Sequence, residues 1–366
     1  MVGIKYDAAI GSANAVEPIP LIRRFELRQI YLLLTRQCNL NCSHCIRSSS
    51  PFQQEMIDTQ LAMHILQQLH IIRREATLMV SGGEPSLHPS FKLIVAAGLE
   101  RFDRVVVNSN GLRLAPLLEA CAHPAAEIQI SVDGDDITHD RIRGHGTFAK
   151  TIANINQLSR CGIFVTVATT VTKSNISSLK KLDRILADAH FARWNVKRVV
   201  GAGRASDTDD ISTLVWNQLV AEFRATTLNA DRLRISFMFS EEGIQAASSS
   251  NGLISGDGLE IANANCGTGR SKLYVNPDGT AYPCACMEEI IVGNFSSQSA
   301  LEILRLLNQL EVEPSPKAVC HRCPAWKVCR GGCPGAAKRT IVPALGDPRC
   351  PLATAGRLDA GESNEA

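Results

Sequence analysis

The stretch Leu34-Thr35-Arg36-Gln37-Cys38-Asn39-Leu40-Asn41-Cys42-Ser43-His44-Cys45 sets three cysteines in the order C-x3-C-x2-C. Three thiolates are one too few for a closed four-ligand site. A structural zinc normally fills all four positions with protein atoms, whereas an iron–sulfur cubane held by three thiolates keeps one iron open to a small molecule. The missing ligand therefore points to chemistry, with a zinc or disulfide motif as the alternative reading.

Working outward, the residues before these cysteines form a short β-rich apolar run. From there the chain alternates such runs with longer amphipathic segments, the pattern of a parallel sheet with crossover helices. The spacing predicts strands over 29–35, 77–81, 104–108, 127–132, 164–171 and 194–199. Helices are expected over 59–74, 90–101, 112–121, 148–161 and 178–189. Parallel barrels gather their chemistry at the C-terminal ends of strands. The cysteine stretch stands there, as do Gly82-Gly83-Glu84-Pro85, Asn108-Ser109-Asn110-Gly111 and Ile130-Ser131-Val132-Asp133-Gly134, the last followed by His139-Asp140-Arg141-Ile142-Arg143. Residues 201–265 read as a bridge, with a helix over 211–228 and Ser- and Gly-rich loops over 246–258. No chemistry is assigned to it beyond Arg204, a candidate to reach the pocket.

Composition narrows the classes. A chain of 366 residues with a formal charge of +2 accommodates a large α/β domain plus a smaller unit, and offers no strongly basic field for nucleic acid. The longest apolar runs, over 31–34 and 91–99, fall far short of the roughly 20 residues that cross a bilayer, so no membrane span is expected. Residues 1–20 lack the pattern of a secretion signal, which places the protein in the cytoplasm. There, thirteen cysteines read as metal ligands more readily than as disulfides. Cys121 and Cys161 stand apart from the clusters and read as small apolar residues.

Eight of the cysteines fall after residue 265. Cys266 is followed by twelve residues, Gly279, four residues and Cys284. Cys286 comes two positions later, and then Cys320-x2-Cys323-x5-Cys329-x3-Cys333, sixteen residues and Cys350. A zinc ribbon does not require so many cysteines in this order.

The first cysteine triad and the glycine motif resemble the radical S-adenosylmethionine (radical SAM) enzymes, and the C-terminal order resembles the SPASM extension of members that modify peptides and proteins. The resemblance implies a partial (β/α)6 TIM-like barrel over 29–200, an N-terminal extension over 1–28, the bridge, a SPASM domain over 266–352 and a disordered tail over 353–366. It implies a [4Fe–4S] cluster on Cys38, Cys42 and Cys45 whose open iron takes SAM. SAM contacts would come from Gly82, Gly83, Glu84 and Pro85, from Ser131 at the ribose, and from Arg143 at the carboxylate. His44 replaces the aromatic residue that many relatives stack on adenine, and can itself stack. Two auxiliary clusters, [4Fe–4S] by the same resemblance, would be held by Cys320, Cys323, Cys329 and Cys350 (outer) and by Cys266, Cys284 and Cys333 (inner). Cys286 is a candidate fourth ligand of the inner one, with an open iron as the alternative.

The activity this implies is abstraction of a hydrogen from a ribosomally made precursor peptide by a 5′-deoxyadenosyl radical, followed by an oxidative cross-link such as a thioether, carbon–carbon or ether bond. Sulfatase-type formylglycine formation is the runner-up, because Ala285 stands where those enzymes carry an aspartate after the inner-cluster cysteine. A small-molecule radical SAM dehydrogenase is the third reading. The expected partners are the peptide, a reductant such as flavodoxin or ferredoxin, and a separate leader-binding protein unless barrel and bridge hold the leader directly. The sequence names no catalytic base.

Overall fold

Alternating burial sorts the first strands into one sheet of the computed structural model, which describes residues 27–239, 266–310, 319–323, 325–338 and 346–350. β1 (Gln29–Leu33), β2 (Thr77–Ser81), β3 (Val105–Ser109), β4 (Ala126–Ser131), β5 (Phe164–Val171) and β6 (Arg193–Arg198) lie side by side in chain order, all parallel. Because strand side chains alternate faces, Ile30, Leu32, Val80, Ile128, Val167 and Trp194 enter one continuous core. Each such wholly buried side chain contributes about 1.5–3 kcal/mol of transfer free energy. The opposite face is polar, with Gln129, Ser131, Asn195 and Lys197 looking into the partial barrel.

Helices α1 (Thr59–Arg73), α2 (Phe91–Arg101), α3 (Leu114–Cys121), α4 (Asp136–Arg143), α5 (Thr147–Arg160) and α6 (Leu179–Ala187) connect these strands. Their starts follow local chemistry. Asp58 caps α1 by accepting from the Gln60 and Leu61 amides at 2.9 and 3.0 Å. Asp135 does the same for α4 through Thr138. The eight residues of α4, which fall outside the expected helices, are helical: they are too few to show a helical period in the sequence.

Strand one ends two residues earlier than expected, since Thr35 leaves the ladder for an isolated bridge with Met56. The sheet is also wider than six strands. β7 (Leu233–Arg234), after α7 (Thr213–Thr226), pairs parallel with β6. At the other edge β8 (Lys272–Val275) pairs parallel with β1, and β9 (Thr280–Tyr282) and β10 (Gly293–Asn294) continue antiparallel, followed by α8 (Ala300–Asn308). The order is β10-β9-β8-β1-β2-β3-β4-β5-β6-β7. Strands of two to four residues carry too little alternation to be seen in sequence. Their consequence is that the cysteine-rich region is hydrogen-bonded into the barrel sheet beside the strand that leads to Cys38. Among the described residues no helix is long and apolar enough to cross a membrane. The segments 1–26, 240–265 and 351–366, with the expected loops over 246–258 and the expected tail, lie outside the described residues.

Candidate active site

The triad is held by backbone bonds to its own loop and to α4. Cys38 N–H donates to the Ser50 carbonyl at 3.1 Å, Cys45 N–H to that of Cys42 at 3.3 Å, and Ser43 N–H to that of Ile142 at 3.2 Å. Cys38 and Cys42 are buried beside Leu40, with Cys45 and Leu112 packed against them. Three donors face the sulfurs: the Leu40 amide at 3.4 Å and Asn110 Nδ2 at 3.9 Å on Cys38, and Arg143 Nη1 at 3.8 Å on Cys42. Burial pushes the Cys38 thiol up to about 12, and it raises Cys42 too, where Arg143 works against it.

From outside, Arg204 clamps the loop. Its backbone N–H donates to the Cys45 carbonyl at 3.0 Å, Nε to that of Cys42 at 2.8 Å and Nη2 to that of Ser49 at 2.8 Å. Gly203 makes this possible: its φ is +61°, and a Cβ there would stand 2.4 Å from the Cys45 carbonyl oxygen. The expected reach of Arg204 toward the pocket is thus spent on the backbone of the cysteine loop.

Beside the triad lies an ion cluster that the sequence did not single out. Asp133 Oδ2 accepts from Arg143 Nε at 2.7 Å and Nη2 at 2.5 Å, and from His44 Nε2 at 2.9 Å. Asp133 is wholly buried; burial would raise its pKa, but Arg143 and then His44 hold the carboxyl well below the usual range. Two of the guanidinium's three nitrogens are therefore engaged, leaving Nη1 facing Cys42. His44 is anchored on the carboxylate, while its Nδ1 is buried without a hydrogen-bond partner. His139 Nδ1 accepts from the Asp133 amide at 3.2 Å, and burial lowers its pKa to about 4. Ser131 stands two residues before Asp133, half-buried on the inner face of β4.

The glycine motif packs edge-on against the residues leading to Cys38. Gly83 N–H donates to the Thr35 carbonyl at 2.7 Å and Glu84 N–H to that of Gln37 at 2.9 Å. A Cβ on Gly82 or Gly83 would stand 2.4 or 2.3 Å from those oxygens, so only glycine permits the approach. Pro85 is buried and opens a short 3-10 turn. The Glu84 carboxylate turns inward, accepting from Ser86 Oγ at 2.6 Å, Ser109 Oγ at 3.0 Å and the Asn110 amide at 2.9 Å. Burial raises its pKa against these bonds. It ties the end of β2 to the turn after β3, and Asn110 passes the link to Asn39 at 2.8 Å.

Within the barrel, Gln129 bonds Asn108 at 3.0 Å and Asn195 at 3.5 Å, forming a polar layer. Below it Glu127 closes the floor with Arg104, Arg193 and Thr166. On the side of the cysteine-rich region, Tyr31 stacks on Tyr274 with centroids 4.1 Å apart, and Arg47 lies over the Tyr274 and Tyr282 rings while bonding the Tyr282 hydroxyl at 2.6 Å. A cavity of about 360 Å³ separates the loop residues Arg47 and Ser48 from Ala285 and Cys286.

The C-terminal cysteines form two groups. Cys320, Cys323, Cys329 and Cys350 lie within electrostatic reach of one another; burial pushes Cys320 up to about 11 and Cys329 up to about 12. Cys266, Cys284, Cys286 and Cys333 form the other. The Cys286 amide donates to Cys284 Sγ at 3.3 Å, and the bond between the two thiols lowers the pKa of Cys284. Gly335 leaves the space beside Cys286 and Cys333: a Cβ there would stand 2.7 Å from the Cys286 Cβ, and 3.7 and 3.8 Å from the two sulfurs. Asp347, buried, accepts from the Cys333 amide at 2.9 Å and from Arg349 Nε and Nη2 at 2.9 and 2.7 Å, linking the two groups. Cys121 is buried inside α3 and Cys161 is exposed, both apart from these sites.

Among the described residues no three side chains converge on the point a single ion would fill. Three soft donors ringed by N–H groups, with no fourth protein ligand among the described contacts of the loop, fit a three-thiolate cluster.

Residues 32–186 match the family model described as the radical SAM superfamily, and residues 266–324 the one described as an iron–sulfur cluster-binding domain, SPASM. The mycofactocin maturase MftC of Mycolicibacterium smegmatis is 28% identical over 357 residues, covering 92% of this chain and 87% of that protein. The AdoMet-dependent heme synthase of Methanosarcina barkeri is 27% identical over 317 residues, covering 81% and 88%. Streptococcus suis SuiB, crystallised with its precursor peptide SuiA, superposes with a TM-score of 0.71 at 14% identity, covering 91% of this chain and 78% of that one, and shares the fold. An open barrel with a three-thiol loop at its C-terminal rim, followed by a second cysteine-rich region, makes this chain a radical SAM enzyme that carries a SPASM domain and uses SAM with iron–sulfur clusters.

Proposed function

We propose that the protein is a peptide maturase that removes hydrogen from a ribosomally made precursor and leaves an oxidised, cross-linked product. Cys38, Cys42 and Cys45 would hold the SAM cluster, Cys320, Cys323, Cys329 and Cys350 the outer auxiliary cluster, and Cys266, Cys284 and Cys333 the inner one. Cys286 is assigned as the inner fourth ligand, supported by its thiol standing beside Cys284 and, across Gly335, near Cys333. Bound together, these groups supply a 5′-deoxyadenosyl radical from SAM and one-electron acceptors for the oxidised product.

The chain's own residues orient and insulate. The glycine edge at Gly82 and Gly83 sets the loop's distance from β2, and Pro85 fixes the turn after it. The Arg143 Nη1 edge, held by Asp133, offers a donor beside Cys42 for the SAM carboxylate. Ser131 offers a hydroxyl from the neighbouring strand, and the unpartnered Nδ1 of His44 is available to the nucleotide. The polar layer of Asn108, Gln129 and Asn195 supports the lumen from below.

The observation that carries the peptide reading is the lateral cavity between the cysteine loop and Cys286, which gives an extended chain a path between the two cluster regions. It is supported by the likeness to MftC over nearly the whole chain. A reductant such as flavodoxin or ferredoxin, a separate leader-binding protein and a cytoplasmic setting complete the proposal, as do the unit boundaries at 28, 200, 265 and 352. The heme synthase relative favours a small-molecule substrate as the second reading. Ala285, which packs against the tyrosine cluster and offers no carboxylate, argues against formylglycine formation. Co-expression with candidate short precursors followed by mass spectrometry decides: loss of two hydrogens within one peptide is expected. Unmodified peptides together with turnover of a small-molecule substrate would overturn the peptide reading.

A further inference from the structure

The carboxylates that line the barrel and its mouth already have hydrogen-bond or ion partners. Glu127 has Arg104 and Arg193, Asp133 has Arg143 and His44, and Glu288 has Arg36 and Arg47. Lys197 breaks this pattern. It lies on the inner face of β6, two residues beyond Asn195 of the polar layer and level with Thr170 of β5. Among the described residues it has no ion pair or hydrogen bond, yet it retains accessible surface. Desolvation, and then the neighbouring Lys272 ammonium, hold its amine below the usual lysine range, with the Cys266 thiol acting the other way. Lys197 is exposed, and because Trp194 and Val196 of the same strand enter the core, its side chain stands with Asn195 on the opposite face, the one that lines the barrel.

Lys272 is differently placed, since it bonds the Cys266 sulfur and so serves the inner cysteine group. Lys197 makes no such bond. A lysine on the lining face of a barrel with no carboxylate bonded to it, and only the Cys266 thiol, itself bonded to Lys272, acting on its charge, is a site open to a carboxylate that arrives with the ligand. The SAM carboxylate has a nearer donor in Arg143, which faces Cys42 from the triad side.

Resting on the peptide-maturase reading, we propose that Lys197 binds a carboxylate of the substrate peptide, an Asp or Glu side chain or a free C-terminus, and thereby fixes which residue faces the radical. The ammonium donates a charge-assisted hydrogen bond to that carboxylate, and the Lys272 charge strengthens the local field.

The test uses anaerobically reconstituted enzyme saturated with S-adenosylhomocysteine and panned against a random peptide library displayed with free C-termini. Wild type should enrich Asp, Glu or one C-terminal register over the isosteric Asn and Gln peptides. Lys197→Gln should reduce that preference about tenfold, the size of a charge-assisted hydrogen bond, and Lys197→Arg should retain it. Peptide-free release of 5′-deoxyadenosine and the midpoint potentials of the auxiliary clusters should stay at wild-type values in Lys197→Gln. An unchanged acidic preference in Lys197→Gln would overturn the proposal. So would a shifted auxiliary potential, which assigns the amine to the cluster, or lost SAM cleavage, which assigns it to the nucleotide. Enrichment of peptides without acidic preference would overturn this inference and leave the maturase reading standing, whereas no enrichment of any peptide would overturn both.

Discussion

Cys38, Cys42 and Cys45 come from eight consecutive residues at the end of one strand, whereas the two C-terminal groups draw eight cysteines from residues 266 to 350 and interleave them. The first site is fastened by the barrel: β1 delivers it, the glycine turn abuts it, and Arg204 clamps it from behind. The second is fastened by pairing β8 to β1 and by Asp347 with Arg349, so its cysteines depend on contacts far apart in the chain. The difference teaches that the triad is a property of one loop, while the auxiliary sites are a property of the tertiary fold. Damage should follow the same division.

The largest effect is expected at the triad. Replacing Cys38, Cys42 or Cys45 with alanine should bring 5′-deoxyadenosine release to background, while the auxiliary iron remains measurable by spectroscopy. Retained cleavage in any of the three would break the comparison. Cys320→Ala or Cys329→Ala should do the reverse, leaving uncoupled SAM cleavage but stopping product; full product yield would show that the outer group is dispensable.

Asp133→Asn removes the anion under a buried guanidinium and should cost about 3–5 kcal/mol in denaturant unfolding. It should also weaken SAM binding, since Arg143 loses its anchor. A loss below 1 kcal/mol would show that the pair is solvated. His139 gives a smaller, pH-dependent effect. Its folded pKa of about 4 lies below the unperturbed value, so the unfolded chain takes up the proton first and stability falls as pH drops from about 6.5 to 4. The total loss should be about 3 kcal/mol, and His139→Gln should flatten that part of the profile. Gly203→Ala, with a left-handed φ and a 2.4 Å clash with the loop carbonyl, should cost about 1–3 kcal/mol and lower iron retention at the triad alone.

The comparison also explains what could be read from the sequence. The second and fifth strands have the expected limits, because 77–81 and 164–171 carry clear β runs between turn residues. The grouping of Cys38, Cys42 and Cys45 could be read ahead because it lies in local spacing, and the structure keeps the three in one loop. The roles of His44, Glu84 and Arg204 were not, since each is decided by a partner distant in the chain: Asp133, Ser109 with Asn110, and the carbonyls of Cys42 and Ser49. Asp133 stands at a strand end, and nothing in that stretch signals that its carboxylate collects Arg143 and His44. β7 through β10 leave no trace in the sequence because strands this short have no period. Spacing alone left Cys286 undecided, and Lys197 gives no signal at all until β6 shows which face it occupies.

The central claim is that the triad leaves one iron to SAM. Mössbauer spectroscopy of the anaerobically reconstituted, ⁵⁷Fe-labelled protein in which every C-terminal cluster cysteine is replaced by alanine isolates that site. One iron of the cluster should change its isomer shift when SAM is added, and reduction should then release 5′-deoxyadenosine. A spectrum insensitive to SAM, with all four irons equivalent and no nucleoside released, would contradict the account.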